Sequence, residues 1–354
     1  MTLTPFIIPL NQERGITMTI FTDVKTIAAL TKKIGTEHVI DKLVSYIESD
    51  FLRWAEFDKS ARLANHSKSG VIELMPISDA NQYSFKYVNG HPDNGQKNLL
   101  TVMAFGVLAD VDTGYPILLS ELTLTTALRT AATSVMVAKK LARADSNTMA
   151  LIGNGCQSEF QAIAFHHILG IKNIRCFDVD PNSSEKLVRN LASYPDLKLT
   201  ICDSAEEATQ GADIITTVTA DKKYATIITP EMVKAGVHIN GVGGDCPGKT
   251  EIDASVLLQG SIFVEYAPQS RIEGDIQQLP DDHPVTEFWQ VIAGEHHGRV
   301  SNNEITIFDS VGFALEDYSA LRLLKDLIIE HKIEETIELV PELEDPKNLF
   351  ELLH

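Results

Sequence analysis

Basic residues are scarce in this chain. Thirty lysines and arginines face 49 aspartates and glutamates, giving a net charge of −19. Nucleic acids and anionic membrane surfaces are bound by basic faces, so neither is expected as a partner. The acidic excess serves solubility. Cysteine is scarcer still, with only Cys156, Cys176, Cys202 and Cys246. None is spaced C-x-x-C, which speaks against a zinc ribbon or a disulfide framework and fits a reducing cytoplasm. Long apolar runs are missing too, and nothing approaches the roughly 20 residues that cross a bilayer. The short run Pro5-Phe-Ile-Ile-Pro-Leu10 has no basic region before it and no small-residue cleavage site after it, so a signal peptide is not expected. The pairs His166-His167 and His296-His297 lack a carboxylate constellation, and no metal is expected. There is no internal repeat or low-complexity stretch.

What is present is concentrated mid-chain. The apolar run Met149-Ala-Leu-Ile152 stops at Gly153-Asn154-Gly155, and Cys156-Gln157-Ser158-Glu-Phe160 opens an amphipathic helix. This is the pattern of a strand, phosphate turn and helix in a dinucleotide-binding fold. The first glycine permits a tight turn. The second lets backbone N–H groups approach a pyrophosphate at the positive end of the helix. Ser158 stands in place of a third glycine. Asp178 closes the next strand, Ile174-Arg-Cys-Phe-Asp178, 23 residues after Gly155. An acid there binds both ribose hydroxyls and repels a 2′-phosphate, so NAD is favoured over NADP.

At 354 residues the chain suggests about two domains at roughly 150 residues each. Before the turn, apolar periodicity predicts helix within 23–57 and successive strands between 61 and 122, joined by short turns into an antiparallel sheet. A helix follows over Ala127–Leu141, with Thr125 or Thr126 as its cap. Beyond it, strands are predicted at 148–152, 173–178, 198–202, 213–218, 237–242, 261–265 and 304–308. Helices are predicted at 157–169, 183–193, 204–209, 230–235 and 284–293. That alternation implies a parallel sheet covered on both faces. Ala314–Lys332 is a long helix outside it, expected to return to the N-terminal part, and the acidic residues Glu334-Glu335 and Glu342–Asp345 read as solvated surface. Two further strand ends, Thr216–Ala220 and Asn240–Lys249, point at the same cleft. Asp245 is the acid expected to face a reacting carbon there.

Cations recur in apolar surroundings ahead of the turn: Arg62, Lys86 between Phe85 and Tyr87, and Arg129 on the helix of small residues. Guanidinium groups so placed would hold a carboxylate. The segments Phe57–Arg62, Gly70–Pro76, Phe85–His91, Ala127–Thr133, Gly153–Phe160 and Val242–Thr250 together resemble bacterial ornithine cyclodeaminase, the enzyme branch of the ornithine cyclodeaminase/mu-crystallin family. The likeness runs from about residue 18 to the end, which leaves 1–17 as an N-terminal extension.

The resemblance implies an α/β protein. A Rossmann-type NAD-binding domain would span 147–311. An α+β substrate and dimerisation domain with an antiparallel sheet would span 18–146, completed by 312–354. It implies a cytoplasmic homodimer and a lyase converting L-ornithine to L-proline and ammonia, with NAD recycled within each turnover. Matched position by position, Arg62, Lys86 and Arg129 would bind the substrate carboxylate and Asp245 would be the acid/base. Glu73 would be a polar active-site residue, and Val311 a substrate contact. Thr101, Arg129, Thr130, Cys156 and Gln157 would contact the cofactor together with the glycine turn, as would Asp178, Thr219, Val242, Gly243, Lys249 and Ser310. Cys156 departs from the alanine more usual there, though its backbone N–H can still serve. Relatives of the same fold leave open an NAD(P)-dependent amino-acid dehydrogenase or ketimine reductase, and a lysine cyclodeaminase whose substrate is one methylene longer.

Overall fold

The computed structural model describes residues 18–220 and 226–354; the extension 1–17 lies outside them. Its strands build two sheets. The first takes β1 (Thr19–Thr22), β2 (Asp58–Lys59), β3 (Leu63–His66), β4 (Val71–Ser78), β5 (Gln82–Gly90), β6 (Val102–Asp110) and β7 (Pro116–Glu121). The second takes β8 (Thr148–Ile152), β9 (Asn173–Phe177), β10 (Lys198–Ile201), β11 (Ile214–Thr217), β12 (His238–Gly241), β13 (Ser261–Val264), β14 (Thr286–Glu287) and β15 (Thr306–Asp309). A last strand, β16 (Glu335–Ile337), returns to the edge of the first sheet.

The first sheet runs β16-β1-β7-β6-β5-β4-β2, with β3 also on β4. Its pairs are antiparallel except β1 with β7, which run parallel. The second runs β10-β9-β8-β11-β12-β15-β13-β14 and is parallel throughout. Strand order reverses between β8 and β11, and it is there, beyond the carboxyl ends, that such sheets bind ligands.

The helices are α1 (Val24–Ile34), α2 (Thr36–Leu52), α3 (Thr123–Leu141), α4 (Ser158–Leu169), α5 (Pro181–Asn190), α6 (Ala205–Thr209), α7 (Ala254–Leu257), α8 (Ala267–Glu273), α9 (Trp289–Ile292) and α10 (Ala314–His331). The apolar period across 23–57 is thus split. Gly35, at φ 97°, ends one helix and starts the next, a conformation open to glycine. Helix α3 begins earlier than expected, and its first amides are capped by Glu121 rather than by Thr125 or Thr126, through Leu124 N at 2.9 Å and Thr125 N at 3.3 Å. Over 284–293 the chain is a short strand followed by one turn of helix, because Thr286 and Glu287 complete the parallel edge. Residues 230–235 hold only a 3₁₀ turn at Pro230–Met232. Glu335 pairs into the edge strand β16 and stays solvent-exposed there, as does Glu334 beside it.

One hydrophobic core joins α2, α3 and α10 to a face of the parallel sheet through Phe51, Val135, Leu321, Met149 and Phe308. A second, around Ile215, Ile239 and Ile307, fills its other face. Helix α10 packs on α2, α3, β4 and β5. Among the described residues, no helix is long and apolar enough to cross a membrane.

Candidate active site

A cavity of about 630 Å³ opens where the inner face of the antiparallel sheet meets the carboxyl ends of β8, β11 and β12. Its cofactor side begins at the turn after β8. Gly153 has φ 90°, and a Cβ there would lie 2.9 Å from the Val218 carbonyl, so glycine is required. Gly155 has open space where a Cβ would sit, which leaves its backbone approachable. Asp178 accepts from Asn154 N at 2.6 Å and lines the cavity. Asn154 itself does not line it. Its side chain is buried, donating to Leu151 O at 3.2 Å and accepting from Ser184 Oγ at 2.7 Å, so it ties the turn to α5. Cys156 is exposed. The turn, the facing acid and the open approach fit a dinucleotide.

On the antiparallel-sheet side, strand alternation places Glu73 and Lys86 on the inward face, while Leu74 and Tyr87 point outward. Lys86 is only 1% exposed, an inversion of the usual outward lysine. A buried ammonium needs a partner. Asp317, in the first turn of α10, supplies it at 2.7 Å. Arg129 donates its Nε to Asp317 at 3.0 Å and its Nη1 to Glu316 at 2.8 Å. Gly312, at φ 73°, leaves room for that guanidinium, since a Cβ would approach Arg129 Nη1 to 2.9 Å. Burial, with the adjacent Arg129 charge, pushes the Lys86 ammonium down to about 8. Burial raises the Glu316 carboxyl to about 8 against the pull of Arg129.

Arg62 lies on the irregular stretch between β2 and β3 and is also buried. It donates to Glu73 Oε2 at 3.0 Å and to Gly312 O at 2.6 Å, and it also bonds Val311 O. Glu273 pairs with its Nε at 2.9 Å. Asp245 is half exposed into the cavity, and Lys249 Nζ lies 3.1 Å from its Oδ1. Lys249 also donates to Thr219 O at 3.1 Å.

The cavity gathers Arg62, Glu73, Lys86, Arg129, Asp245 and Val311 on one side. Thr101, Thr130, Gly153, Gly155, Cys156 and Gln157 line it as well. So do Asp178, Thr219, Val242, Gly243, Lys249 and Ser310, leaving Asn154 as the one expected site residue outside the lining.

The carboxylates behind these residues escape sequence reading. Glu251 accepts from Thr219 N at 3.1 Å and Gly243 N at 3.0 Å, pinning two of the lining loops. Glu265 accepts from Ser310 Oγ at 2.6 Å and Gly312 N at 3.1 Å. Asp275 accepts from Glu251 N at 2.7 Å, and Asp309 from Asp275 N at 2.9 Å. Acid thus follows acid beneath the strand ends. The one available signal is Glu316-Asp317, an acidic pair in the first turn of the amphipathic helix α10. Among the described residues, no group of three or more His, Cys, Asp or Glu side chains is placed to hold a metal ion.

Residues 24–332 match the family model described as ornithine cyclodeaminase/mu-crystallin family. Ornithine cyclodeaminase of Agrobacterium fabrum is 55% identical over 333 residues, 94% of this chain and 94% of that protein. Among solved structures, a lysine cyclodeaminase, described for its recognition of L-lysine, L-ornithine and L-2,4-diaminobutyric acid, superposes with a TM-score of 0.88 at 25% identity, covering 94% of this chain and 99% of that one. An archaeal alanine dehydrogenase dimer with bound NAD gives 0.82 at 29% identity, covering 92% and 100%.

Proposed function

This chain belongs to the ornithine cyclodeaminase/mu-crystallin family, and from that premise we propose that it converts L-ornithine to L-proline and ammonia with NAD as a recycled cofactor. The observation that supports this best is the convergence of three buried cations and one half-exposed acid on a cavity shared with the dinucleotide turn.

Arg62, Lys86 and Arg129 would hold the α-carboxylate and so fix which face of Cα is presented. NAD would be held by the Gly153–Gln157 turn, Asp178, Thr219 and Lys249, and when bound it supplies a hydride acceptor that returns the hydride in the same turnover. Asp245, free on its cavity side, would take a proton from the α-ammonium. The carbon–nitrogen double bond that follows is electrophilic at Cα. The substrate's own δ-amine attacks there and closes a five-membered ring. Asp245 then returns its proton to the departing ammonia. Glu73, inward on β4, would orient the δ-amine. Residues 147–311 form the cofactor domain in this reading, with 18–146 and 312–354 forming the substrate domain.

The chain would work as a homodimer. Leu63, Leu74, Tyr87 and Phe105 form one row across the outer face of the antiparallel sheet. Leu63, Leu74 and Phe105 are exposed, and Tyr87 stacks on Phe105 at 5.0 Å. Such a contiguous apolar face on a soluble chain calls for a partner surface.

The deciding experiment incubates the purified protein with L-ornithine and substoichiometric NAD⁺, following proline, ammonia and 340 nm absorbance together. Equal proline and ammonia beyond the NAD⁺ supplied, with flat absorbance, is the expected result. NADH accumulating in step with ammonia would make the protein a dehydrogenase. Turnover of L-lysine in preference to ornithine would move the assignment to the longer diamine; a methylene in an apolar pocket is worth only about 1–3 kcal/mol.

A further inference from the structure

We propose that Gln269 and Glu273, one helical turn apart on α8, are positioning residues that fix Arg62 for the α-carboxylate of the substrate; this rests on reading Arg62 as a carboxylate binder.

Arg62 sits on irregular backbone, so no strand ladder holds it in place. A long side chain there would sample several rotamers unless it is tied at both ends. The structure ties both. Gln269 Oε1 accepts from Arg62 N at 3.1 Å, and Gln269 Nε2 donates to Gly312 O at 2.9 Å. That same Gly312 carbonyl accepts from Arg62 Nη2 at 2.6 Å. Glu273 lies 2.9 Å from Arg62 Nε. Residues four apart share a helix face, so a single short helix meets both the main chain and the guanidinium of this residue. Gln269 and Glu273 are both buried, at 1% and 4% exposure, and α8 follows β13 of the parallel sheet.

Arg62 belongs to the stretch between β2 and β3, yet its restraints come largely from across the cavity, on the cofactor side. Lys86 and Arg129 are held instead by α10. The three cations are therefore braced from two directions, and α8 relates the carboxylate grip to the sheet that carries the cofactor. Two carboxylates, Glu73 and Glu273, flank the single guanidinium. Burial, countered by Arg62 and assisted by Glu73 and Asp245, raises the Glu273 carboxyl to about 7. Its charge therefore does not fully cancel the attraction of Arg62 for an incoming carboxylate.

The test compares wild type with Arg62→Ala, Gln269→Leu and Glu273→Gln. Steady-state constants are measured for L-ornithine and NAD⁺, and L-proline binding is measured by calorimetry with NADH present. The Gln269 and Glu273 variants are expected to raise the ornithine KM and the proline Kd about tenfold, with the NAD⁺ KM within about twofold of wild type. A merely structural role would lower the melting temperature without that split. Glu273→Gln preserves volume, so it decides the matter if Gln269→Leu does not fold. If Arg62→Ala weakens ornithine and proline while both α8 variants match wild type, α8 does not position Arg62. If Arg62→Ala itself changes neither constant, the carboxylate reading of Arg62 falls and the role of α8 falls with it.

Discussion

Asp317 Oδ2 lies 2.7 Å from Lys86 Nζ, and its Oδ1 accepts from Arg129 Nε at 3.0 Å. One carboxylate on α10 therefore serves two cations, one on β5 and one on α3, all three buried. An apolar trio would pack there at lower desolvation cost. The charges make sense as groups kept ready for an anionic ligand.

Removing Asp317 strands both cations. Asp317→Ala is expected to lose about 3–5 kcal/mol of stability, the usual penalty for orphaning a buried charge. Urea unfolding measures it, and a loss below about 1 kcal/mol would show that water or Glu316 replaces the carboxylate.

Lys86 should make substrate binding and stability respond oppositely to alkali. Its folded value of about 8 lies below the ordinary 10.5 of the unfolded chain. Between those values the unfolded chain binds more protons, so the Lys86 contribution to stability rises with pH. Charge is lost over the same window, so the grip on a carboxylate weakens and the ornithine KM rises above pH 8. Denaturation and kinetics at pH 7 to 9.5 read the two effects. A KM that stays level across the window would remove Lys86 from carboxylate binding.

How much of this could be read from the chain depends on where its signals lie. Most of the parallel sheet was legible because its central strands are short apolar runs ended by turn residues, as at Met149–Gly153, whereas the edge strand Thr286–Glu287 has no such run and reads as part of a helix. The antiparallel sheet was legible from alternation, yet alternation misleads about its faces. Lys86 faces inward and its aromatic neighbour Tyr87 outward, since the inner face lines a charged cavity and the outer face is apolar. The pair Arg62 and Glu273 stands 211 positions apart and carries no local period, so sequence alone could not join them. The same holds for the amide-holding acids Glu251, Glu265, Asp275 and Asp309, each of which reads alone as a surface residue.

Asp245 is the test of the proton steps. Asp245→Asn keeps the side-chain volume and a contact for Lys249 but cannot carry a proton. A positioned acid/base contributes about 10²- to 10⁴-fold, so kcat should fall by that order while proline still binds. Turnover close to wild type would assign the proton transfers elsewhere.

Asp178 should set cofactor choice. Its carboxylate stands beside the turn after β8 and is held by Asn154 N at 2.6 Å. An anion there disfavours a 2′-phosphate. Asp178→Ser is expected to improve kcat/KM with NADP⁺ relative to NAD⁺ by about tenfold or more, since about 1.4 kcal/mol of relieved repulsion suffices. An unchanged ratio would mean that another residue excludes the phosphate.

The apolar row on the outer face of the antiparallel sheet predicts how the chain associates. Leu74 and Phe105 flank Tyr87 in register, so a charge at either lands directly beside it in the apolar row. Each large apolar side chain buried there contributes about 1.5–3 kcal/mol, and a glutamate would forfeit that and add desolvation. Leu74→Glu and Phe105→Glu should sediment as monomers at concentrations where wild type is expected to sediment as a dimer, with an unchanged circular dichroism spectrum. The cavity lies on the opposite face of the same strands, where Glu73 and Lys86 alternate with this row. A monomer that keeps its ornithine KM would make the site self-sufficient. A monomer that loses it while still binding NADH would show that pairing holds β4 and β5 in register beneath the substrate. Wild type sedimenting as a monomer would remove this face as a self-association surface.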